Sequence, residues 1–499
     1  MTGSNVAALL EHGAHDHAAL IVPDRISLTY AQLRDLTDDA ARTLASHGVG
    51  KGDRVAMVFP NGPEAILLFL AASMIATACP LNSAYKEDEF RFYLEDVGAR
   101  FLLAPPGEAD AARRAMPANG TVLEAILESD GRLDIQGPSM AKHLDSWEPS
   151  ATGEIALVLH TSGTTSRPKR VPLRHENLTA SVANVIATYE LGPEDVSLCI
   201  MPLFHVHGLV ASALATFGSG GTVVVPDRFS PLGFWPLMQA ARPTWFTASP
   251  TPHQLVLARL QENRPAGAER LRFVRSCSSA LAPAQMALME ERFGVPVLEA
   301  YGMTEASHQM SSNPLPPAPR FAGSVGPGTG VEIAIFGEDG AALSHGTAGE
   351  VVIRGPNVMH GYENNPEANA GAFFNGWFRT GDLGTLDDSG YLRLISRIKE
   401  LINRGGEKIA PREIDEVLEG HPAVKEAVAF GVPHPTWGEE VAAAVVLKAP
   451  ATERELLAHC RARLADFKVP KRLHIVESIP RTATGKVQRR FVAEQLTHA

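Results

Sequence analysis

Residues 154–170 read EIALVLHTSGTTSRPKR, an apolar stretch that runs directly into a polar loop. The apolar part, residues 154–160, has the length and composition of a buried β-strand. The loop brings five hydroxyl side chains, one glycine and one lysine together within residues 161–169. Such clusters are common in ordinary turns, but hydroxyl groups and backbone amides near a glycine also bind anions. The stretch therefore predicts a strand that ends either in a turn or in an anion-binding loop.

The loop differs from the common phosphate-binding loop, whose pattern is G-x-x-x-x-G-K-[ST]. Here Pro168 takes the place of the second glycine, and Arg170 follows the lysine. A loop of this composition would hold a triphosphate by many weak donors rather than by a helix terminus. The donors that would contact such an anion are Thr161, Ser162, Gly163, Thr164, Thr165 and Lys169.

Short apolar runs alternate with helical patterns along most of the chain. Further strands are predicted at 222–226, 244–250, 271–276 and 295–302. Helical stretches separate these strands, which is typical of an α/β fold with parallel sheets covered by helices. Sheets of this kind bind ligands at the carboxyl ends of their strands, and the polar loop follows a strand in that way.

Composition and charge exclude several classes of protein. The 499 residues carry a net charge of −11, which argues against nucleic acid or an anionic membrane as a general partner. No apolar run reaches the roughly 18 residues that a membrane-spanning helix needs, and the N-terminus lacks the pattern of a secretion signal. The four scattered cysteines fit no CxxC metal spacing and indicate reduced thiols in the cytoplasm.

The pattern changes near residue 396. Residues 407–499 carry a smaller set of elements that suffices for an α+β domain, and the glycine-bearing segment 396–406 is predicted to act as a hinge. Residues 461–490 hold nine Lys or Arg and two acidic residues, a net charge of 9 − 2 = +7. A basic segment of this kind is either a solvated face or a region that meets phosphates.

Five motifs in order resemble those of the adenylate-forming enzymes, which include the acyl-CoA synthetases. The motifs are TSGTTSRPK (161–169), YGMTE (301–305), WFRTGD (377–382), SRIKELINRGGEKIAP (396–411) and PRTATGKVQRR (480–490). Together they span nearly the whole chain, so the resemblance is specific. It implies a large N-terminal domain (1–395) that binds ATP and an acid, a hinge region (396–406) and a small mobile C-terminal domain (407–499).

The resemblance also implies nucleotide contacts. Thr304 looks like a hydroxyl contact to the α-phosphate, and Glu305 looks like the carboxylate that holds Mg²⁺ against the phosphates, a ligand that suits a hard cation. The adenine-side and ribose contacts that it implies are Glu299, Ala300, Tyr301, Asp382 and Arg397.

One lysine near the chain's end carries the largest role that the resemblance implies. Lys486 looks like the ammonium that bridges the attacking carboxylate and the α-phosphate, where it would stabilise the charge that builds up at phosphorus. Taken alone, a lysine so close to a terminus is usually solvated. The resemblance places the hinge at Lys399 and coenzyme A near Gly405 and Gly406. Lys468 and Lys471 are further candidates for contacts with coenzyme A.

The segments expected to line the acid pocket are polar rather than apolar. Fatty-acyl and aryl enzymes use apolar linings, so a polar lining favours a small acid with a second charge. The candidate acid contacts are His205, His207, Arg275, Ser278 and His308, with Ser276 and Ser279 nearby. Two alternatives remain: the arginine could face solvent with structural histidines around it, or the three histidines could hold a metal.

Within the family, the segments HTSGTTSRPK, PLFHVHGL and RFVRSCSSALAP resemble the oxalate–CoA ligases. That likeness implies that His205, Ser278 and His308 hold oxalate, that ATP and coenzyme A are the other substrates, and that Mg²⁺ assists. Malonate or another small carboxylate is the alternative acid. A nucleotide-binding relative without turnover is an alternative of another class, although Glu305, Asp382 and Lys486 are all present.

Arg170 departs from the family pattern, which generally has glycine after the lysine. If that position requires a positive φ, an arginine there would be strained. Such strain would distort the loop, and it is an expectation that the backbone itself can test.

Overall fold

The structure is a computed structural model that describes residues 5–138, 149–161, 168–260, 265–481 and 487–497. The chain divides into two compact units. The first comprises Met1–Ala322, Gly326–Glu332 and Arg354–Gly376, and the second comprises Gly323–Val325, Ile333–Ile353 and Trp377–Ala499. The division into residues 1–395, 396–406 and 407–499 stays a prediction.

Strands and helices are numbered in chain order within the described residues. The strands are β1 (Ala18–Val22), β2 (Ile26–Thr29), β3 (Arg54–Met57), β4 (Thr77–Pro80), β5 (Phe101–Ala104), β6 (Thr121–Leu127), β7 (Leu133–Gln136), β8 (Ile155–Thr161), β9 (Lys169–Arg174), β10 (Val196–Leu198), β11 (Thr222–Val224), β12 (Trp245–Ala248), β13 (Phe273–Ser276), β14 (Val297–Met303), β15 (His308–Ser312), β16 (Glu332–Phe336), β17 (Gly349–Arg354), β18 (Phe373–Phe374), β19 (Trp377–Leu386), β20 (Leu392–Arg397), β21 (Ile402–Arg404), β22 (Glu407–Ile409), β23 (Val424–His434), β24 (Gly438–Leu447) and β25 (Arg472–Ile475). The α-helices are α1 (Tyr30–Ser46), α2 (Pro63–Ile75), α3 (Glu87–Val97), α4 (Asp110–Ala115), α5 (His175–Tyr189), α6 (Val206–Gly208), α7 (Ala215–Gly218), α8 (Phe234–Ala241), α9 (Pro250–Leu257), α10 (Pro283–Phe293), α11 (Pro366–Ala372), α12 (Pro411–Glu419), α13 (Glu453–Arg461) and α14 (Arg489–Thr497). Short 3-10 helices lie at Val6–His12, Thr304–Ala306 and Ile398–Glu400, and a π-helix at Leu209–Leu214.

The first unit contains two large sheets. One has the order β15-β14-β13-β12-β10-β11-β1-β2, and the other β7-β6-β5-β3-β4-β8-β9. The inner strands of both sheets are parallel, and antiparallel strands close the edges at β2, β7, β9 and β15. The α/β class with mainly parallel sheets, predicted from the alternating pattern, is confirmed.

Helix α1 shows why these segments fold as they do. Thr29 accepts a hydrogen bond from the backbone N–H of Gln32, and the Gln32 side chain accepts from Thr29 N–H, so the first turn is capped reciprocally. Leu33 and Leu44 are completely buried on the face that meets the sheet. Each buried leucine contributes about 1.5–3 kcal/mol to folding, so the amphipathic face stabilises the helix more than intrinsic propensity does.

The second unit contains two smaller sheets. One of them has β16 next to β17, and β19 pairs antiparallel with both β17 and β20. The other has the order β22-β21-β24-β23, and β25 pairs in parallel with β24. Its core includes Ile414 and Leu418 on α12 and Leu456 on α13. This is the small α+β set of elements that the sequence predicts for residues 407–499.

No described helix is both long enough and apolar enough to cross a bilayer.

Buried histidines make the fold sensitive to acid. His175 begins α5, and its Nδ1 accepts a hydrogen bond of 3.1 Å from Val6 N–H. Burial lowers the pKa of His175 to about 4, and burial likewise lowers the pKa of His253 to about 4. In the unfolded chain the pKa is about 6.5, so each neutral histidine contributes its full stabilisation above that pH. The contribution is lost as pH falls from about 6.5 to about 4.

We expect His175→Asn to make the acid dependence of unfolding shallower, because Oδ1 of asparagine can still accept from Val6 N–H. Neutral His175 contributes about 3 kcal/mol to the free energy of unfolding near pH 7, because folding lowers its pKa from about 6.5 to about 4. Denaturant unfolding of both proteins at about pH 7 and about pH 4.5 measures the difference. His15→Asn is the matched control, because His15 is 79% exposed. An acid dependence equal to that of the wild type would contradict the prediction.

Candidate active site

The YGMTE motif spans the end of a parallel strand of the eight-stranded sheet. Thr304 and Glu305 come directly after β14 in a short 3-10 helix, and both are buried. Their position at the carboxyl end of a parallel strand is the position at which such sheets bind ligands. The backbone carbonyl of Glu305 accepts a hydrogen bond of 2.8 Å from Met359 N–H, so the carboxylate is held on a fixed backbone.

A tyrosine links the lysine of the polar loop to this carboxylate. The Nζ of Lys169 lies 4.5 Å from the centroid of the Tyr362 ring, a cation–π geometry. The Tyr362 hydroxyl donates a hydrogen bond of 2.9 Å to Glu305 Oε1. The structure thus brings Lys169 and Glu305 together through one side chain. Tyr362 was not predicted, because only tertiary packing places residue 362 between them.

The segment predicted for the adenine side is strand β14 itself. Glu299, Ala300 and Tyr301 are all buried, and Glu299 Oε1 accepts a hydrogen bond of 2.9 Å from Leu281 N–H. The Glu299 carbonyl accepts from Asn313 N–H at 3.0 Å. These contacts hold the strand in place, and the adenine-side role stays a prediction.

Arg275 lies at the centre of a buried polar network. Its side chain is 0% exposed, so the alternative of a solvent-facing arginine is wrong. Nε donates to the Tyr189 hydroxyl at 2.7 Å, Nη1 to Thr247 Oγ1 at 3.0 Å and Nη2 to Gln309 Oε1 at 3.1 Å. His207 Nε2 and His308 Nδ1 each lie 3.4 Å from the guanidinium. We call these six residues the Arg275 network.

The Arg275 network contains no counter-ion. Among the described residues, no carboxylate lies within 4 Å of the guanidinium, and its hydrogen bonds go to hydroxyl, amide and imidazole groups. Arginine stays protonated in proteins, and burying a charge is costly unless it is paired. An uncompensated buried cation creates a positive potential that favours an anion nearby.

A chain of hydrogen bonds runs from the Arg275 guanidinium through Thr247 and His207 to Ser278. A guanidinium only donates, so Thr247 Oγ1 accepts from Arg275 and donates its own proton to His207 Nε2, 2.6 Å away. This assigns the proton of neutral His207 to Nδ1, which donates to Ser278 Oγ at 2.9 Å. The hydroxyl proton of half-buried Ser278 can then be donated to an acid.

The same logic assigns the proton of His308. Its Nδ1 faces an Arg275 N–H, so Nδ1 accepts and the proton sits on Nε2. The rings of His207 and His308 have centroids 5.1 Å apart. Half-buried His205 lies on the same turn, where its Nδ1 accepts from His207 N–H at 3.2 Å. The five predicted acid contacts therefore lie in one cluster: His205, His207, Arg275, Ser278 and His308.

Strained backbone lies within this cluster. Ser278, Ser307 and His308 have φ values of 76°, 52° and 116°, which non-glycine residues rarely adopt. Each such residue costs on the order of 1–3 kcal/mol and persists where the surroundings determine it, often at functional sites. Ser276 is buried on β13, and Ser279 is exposed. Neither the strain nor the roles of Tyr189, Thr247 and Gln309 was predicted. The Thr247 contact follows from the register of β12 and β13, which pairs Thr247 with Arg275.

The expectation of a strained Arg170 is wrong. Arg170 lies in β9 and pairs with His160 of β8, and its φ is not positive. The chain has already left the loop at this point and runs as an extended strand, a conformation that arginine adopts without strain.

In the second unit, the two predicted ribose contacts lie side by side. Asp382 on β19 and Arg397 on β20 are register partners, and Arg397 Nε lies 2.7 Å from Asp382 Oδ1. Asp382 is buried, whereas Arg397 is exposed at the end of its strand. Lys399, the predicted hinge residue, follows in a short 3-10 helix and is exposed.

The predicted coenzyme A contacts lie on the surface of the second unit. Gly405 and Gly406 form the two-residue turn between β21 and β22, with φ values of 60° and 94° that favour glycine. Lys468 Nζ lies 2.7 Å from a Glu413 oxygen, and Lys471 is exposed. Lys468 thus has a carboxylate partner in the second unit, and its contact with coenzyme A stays a prediction.

The described residues on either side of 482–486 make defined contacts. Arg481 and Val487 form an antiparallel bridge, and Arg481 lies 2.9 Å from Glu426. Beyond it, Arg489 donates to Asp415 at 2.6 Å and to Glu400 at 3.0 Å. The predicted catalytic residue Lys486 itself lies outside the described residues, as do Ser162, Gly163, Thr164 and Thr165 of the polar loop. Thr161 ends β8 and is half-buried.

Within the described ranges, no group of three or more His, Cys, Asp or Glu side chains is arranged to hold a metal ion. Glu305 remains a single carboxylate of the kind that binds Mg²⁺ together with phosphate oxygens. One of its oxygens accepts from Tyr362, and the residue is buried beside the Lys169 strand. The donor set therefore fits a magnesium ion that arrives with a nucleotide.

Comparisons with known proteins agree with this arrangement. Residues 10–363 match the family described as AMP-binding enzyme, and residues 413–486 match the AMP-binding enzyme C-terminal domain. An oxalate–CoA ligase of Arabidopsis thaliana is 47% identical over 517 aligned positions, covering 99% of each chain. An oxalate–CoA ligase of Saccharomyces cerevisiae is 42% identical, covering 96% of this chain and 94% of the relative. The crystal structure of ATP-bound MatB from Rhodopseudomonas palustris superimposes with a TM-score of 0.89 at 30% identity, covering 99% of each chain.

The motifs, the two matched segments and the full-length relatives lead to the same assignment. The chain belongs to the family of AMP-binding enzymes, among its acid–CoA ligases.

Proposed function

We propose that this enzyme joins oxalate to coenzyme A in a reaction that cleaves ATP to AMP and pyrophosphate. The observation that supports a dianionic acid most is the uncompensated charge of Arg275. A dianion with one reacting carboxylate brings a second carboxylate, and that group can face Ser278, His308 and His205 while the first reacts. The relatives named oxalate–CoA ligases support the same acid.

The reaction has two steps. In the first, an oxygen of one oxalate carboxylate attacks the α-phosphorus of ATP, and the P–O bond to pyrophosphate breaks. Lys486 would stabilise the negative charge at phosphorus, and Thr304 would donate its hydroxyl to an α-phosphate oxygen. In the second, the thiol sulfur of coenzyme A attacks the activated carbonyl carbon, AMP leaves, and the thiol proton is released. Rotation about Lys399 would bring Gly405 and Gly406 to the site for this step.

The remaining groups bind and orient. Lys169 and the polar loop would hold the phosphates, and Asp382 with Arg397 would hold the ribose. Magnesium, held by Glu305, would neutralise phosphate charge when bound. Lys468 and Lys471 remain proposed contacts for coenzyme A. We propose a cytoplasmic location, supported by the four buried free cysteines.

Malonate is the second candidate acid. It carries the same two charges as oxalate with one additional methylene, so the Arg275 charge does not distinguish them. Only the length of the pocket distinguishes malonate from oxalate, and one methylene changes the binding free energy by about 1–3 kcal/mol.

The experiment that tests the proposal is a pyrophosphate-release screen with oxalate, malonate, acetate, benzoate and a fatty acid, each with and without coenzyme A. We expect oxalate to give the highest kcat/KM. A preference for malonate would identify malonate as the substrate and would still support a site for a dianion. A preference for acetate or benzoate would contradict the proposed pocket, and no pyrophosphate release with any acid would favour a binding protein without turnover.

His308→Ala is expected to raise KM for oxalate by about tenfold or more while changing KM for ATP by less than about twofold, because one donor to the second carboxylate is lost. Steady-state kinetics with each substrate varied in turn measures the two constants. His253→Ala is the comparison variant, since His253 is equally buried but bonds the backbone carbonyl of Arg275. An unchanged KM for oxalate would remove His308 from the acid pocket.

A further inference from the structure

Arg170 and His160 belong to a compact group of five charged or polar side chains. Arg170 Nη1 donates to the Asp96 carbonyl at 2.6 Å, and its Nε lies 3.3 Å from the Asp96 carboxylate. Arg170 Nη1 also lies 3.5 Å from Glu363, whose other oxygen is 2.5 Å from Arg54 Nη2. His160 Nε2 lies 3.0 Å from Asp96. We call Arg54, Asp96, His160, Arg170 and Glu363 the anchor cluster.

The anchor cluster is charge-balanced and largely shielded from water. Two arginines face two carboxylates, and their side chains are between 16% and 30% exposed. His160 is 7% exposed, and burial lowers its pKa despite Asp96, so it is neutral near pH 7. Partly buried ion pairs are screened by salt less than exposed ones, and their geometry constrains the backbones that carry them.

The anchor cluster contains the chain neighbours of both residues in the Lys169–Tyr362 contact. Arg170 is the neighbour of Lys169 on β9, and Glu363 is the neighbour of Tyr362. The two segments are joined twice, because the Arg170 carbonyl also accepts a hydrogen bond of 3.2 Å from Glu363 N–H. Tyr362 in turn bonds Glu305. Movement at Arg170 would therefore shift the lysine and the carboxylate proposed to meet the phosphates.

We infer that Arg170 is a positioning residue for MgATP in this enzyme, acting through Glu363 and Tyr362 without touching the nucleotide. The inference rests on the proposed function of Lys169 and Glu305 in binding phosphate and magnesium.

The test compares Arg170→Gly and Arg170→Ala with the wild type in calorimetric titration with MgATP, which needs no turnover. We expect Kd for MgATP to rise about tenfold in both variants, the equivalent of losing one charge-assisted contact. Arg170→Lys should recover part of the loss, because it restores the charge without the fork geometry. KM for oxalate should change by less than about twofold, since the Arg275 network shares no residue with the anchor cluster.

Two controls separate positioning from mere stability. Arg174→Ala removes an arginine from the same strand whose side chain pairs at 3.5 Å with partly exposed Glu176. It should leave Kd for MgATP unchanged. Tyr362→Phe should raise Kd by itself, and Arg170→Ala added to Tyr362→Phe should cost less than the two separate effects combined.

The inference is overturned if Arg170→Gly and Arg170→Ala bind MgATP as the wild type does. It is also overturned if KM for oxalate rises in parallel with Kd for MgATP, or if the double variant is fully additive. A wild type that does not bind MgATP would overturn the proposed function itself, which makes the two failures distinguishable.

Discussion

Lys486→Ala is expected to slow adenylate formation by about 10²–10³-fold, the usual cost of removing one preorganised group from a developing negative charge. Thioester formation from supplied oxalyl-adenylate should be nearly unaffected, because the second step does not build charge at phosphorus. Pyrophosphate release reports the first step, and thioester yield from the supplied adenylate reports the second. Equal losses in both would contradict the role proposed for this lysine.

Lys425→Ala is the matched control, since Lys425 is an exposed lysine of the same unit, on β23. It should change neither step. Equal thermal midpoints of the variant and the wild type would exclude general unfolding as the cause of the loss.

Arg275→Met is expected to lower kcat/KM for oxalate by about 10- to 100-fold. The estimate converts about 1.5–3 kcal/mol for a charge-assisted interaction into a rate ratio. Acetate, which has no second carboxylate, should lose less than about threefold, because the guanidinium acts on the second charge. Steady-state kinetics with both acids measures the difference. Equal losses for oxalate and acetate would show that Arg275 does not select a dianion.

The free energy of unfolding of Arg275→Met tests independently whether the Arg275 charge lacks a counter-ion. Removing a buried charge that lacks a counter-ion does not leave a carboxylate unpaired, and replacing it by an apolar side chain is often neutral or stabilising. The Tyr189 hydroxyl still bonds Ser312, and Thr247 still bonds His207. We therefore expect the free energy of unfolding of the ligand-free protein to stay within about 1 kcal/mol of the wild type or to rise.

Arg272→Met gives the opposite pattern and serves as the control. Arg272 lies just before β13, and its Nη1 is 2.7 Å from both oxygens of buried Asp195. Its removal would leave that carboxylate without its cation, at a cost of about 1–3 kcal/mol of unfolding free energy. The ratio of oxalate to acetate activity should not change. If Arg272→Met changed the ratio of oxalate to acetate activity, selectivity for the dianion would depend on distant charge rather than on the Arg275 network.

Much of the site could be predicted before any coordinates. The YGMTE motif predicted that Thr304 and Glu305 would follow a parallel strand, and they follow β14. The predicted ribose contacts Asp382 and Arg397 are register partners on adjacent strands. The position of Thr304 and Glu305 was predictable because it depends on local sequence: a strand, the turn after it and the polar residues at its end. The contact of Asp382 and Arg397 with ribose stays a prediction.

Other features depended on residues far apart in the chain. Arg170 was expected to be strained by analogy with a glycine, but its strand conformation and its contacts with Asp96 and Glu363 come from other segments. Tyr362 reaches Glu305 across 57 positions of sequence. No periodicity or motif carries such information, because the pairing of two distant side chains is set only when the sheets pack.

The order of motifs along the chain therefore determined the family, the α/β class and which residues are available for nucleotide chemistry, since each motif specifies a local turn at a strand end. Only the tertiary structure decided how Arg275 is used. Its burial among Tyr189, Thr247 and Gln309, without a carboxylate, arises where α5, β12, β13 and β15 meet. A charge acquires its influence from the solvent and partners that packing removes, and the sequence of β13 alone does not contain them.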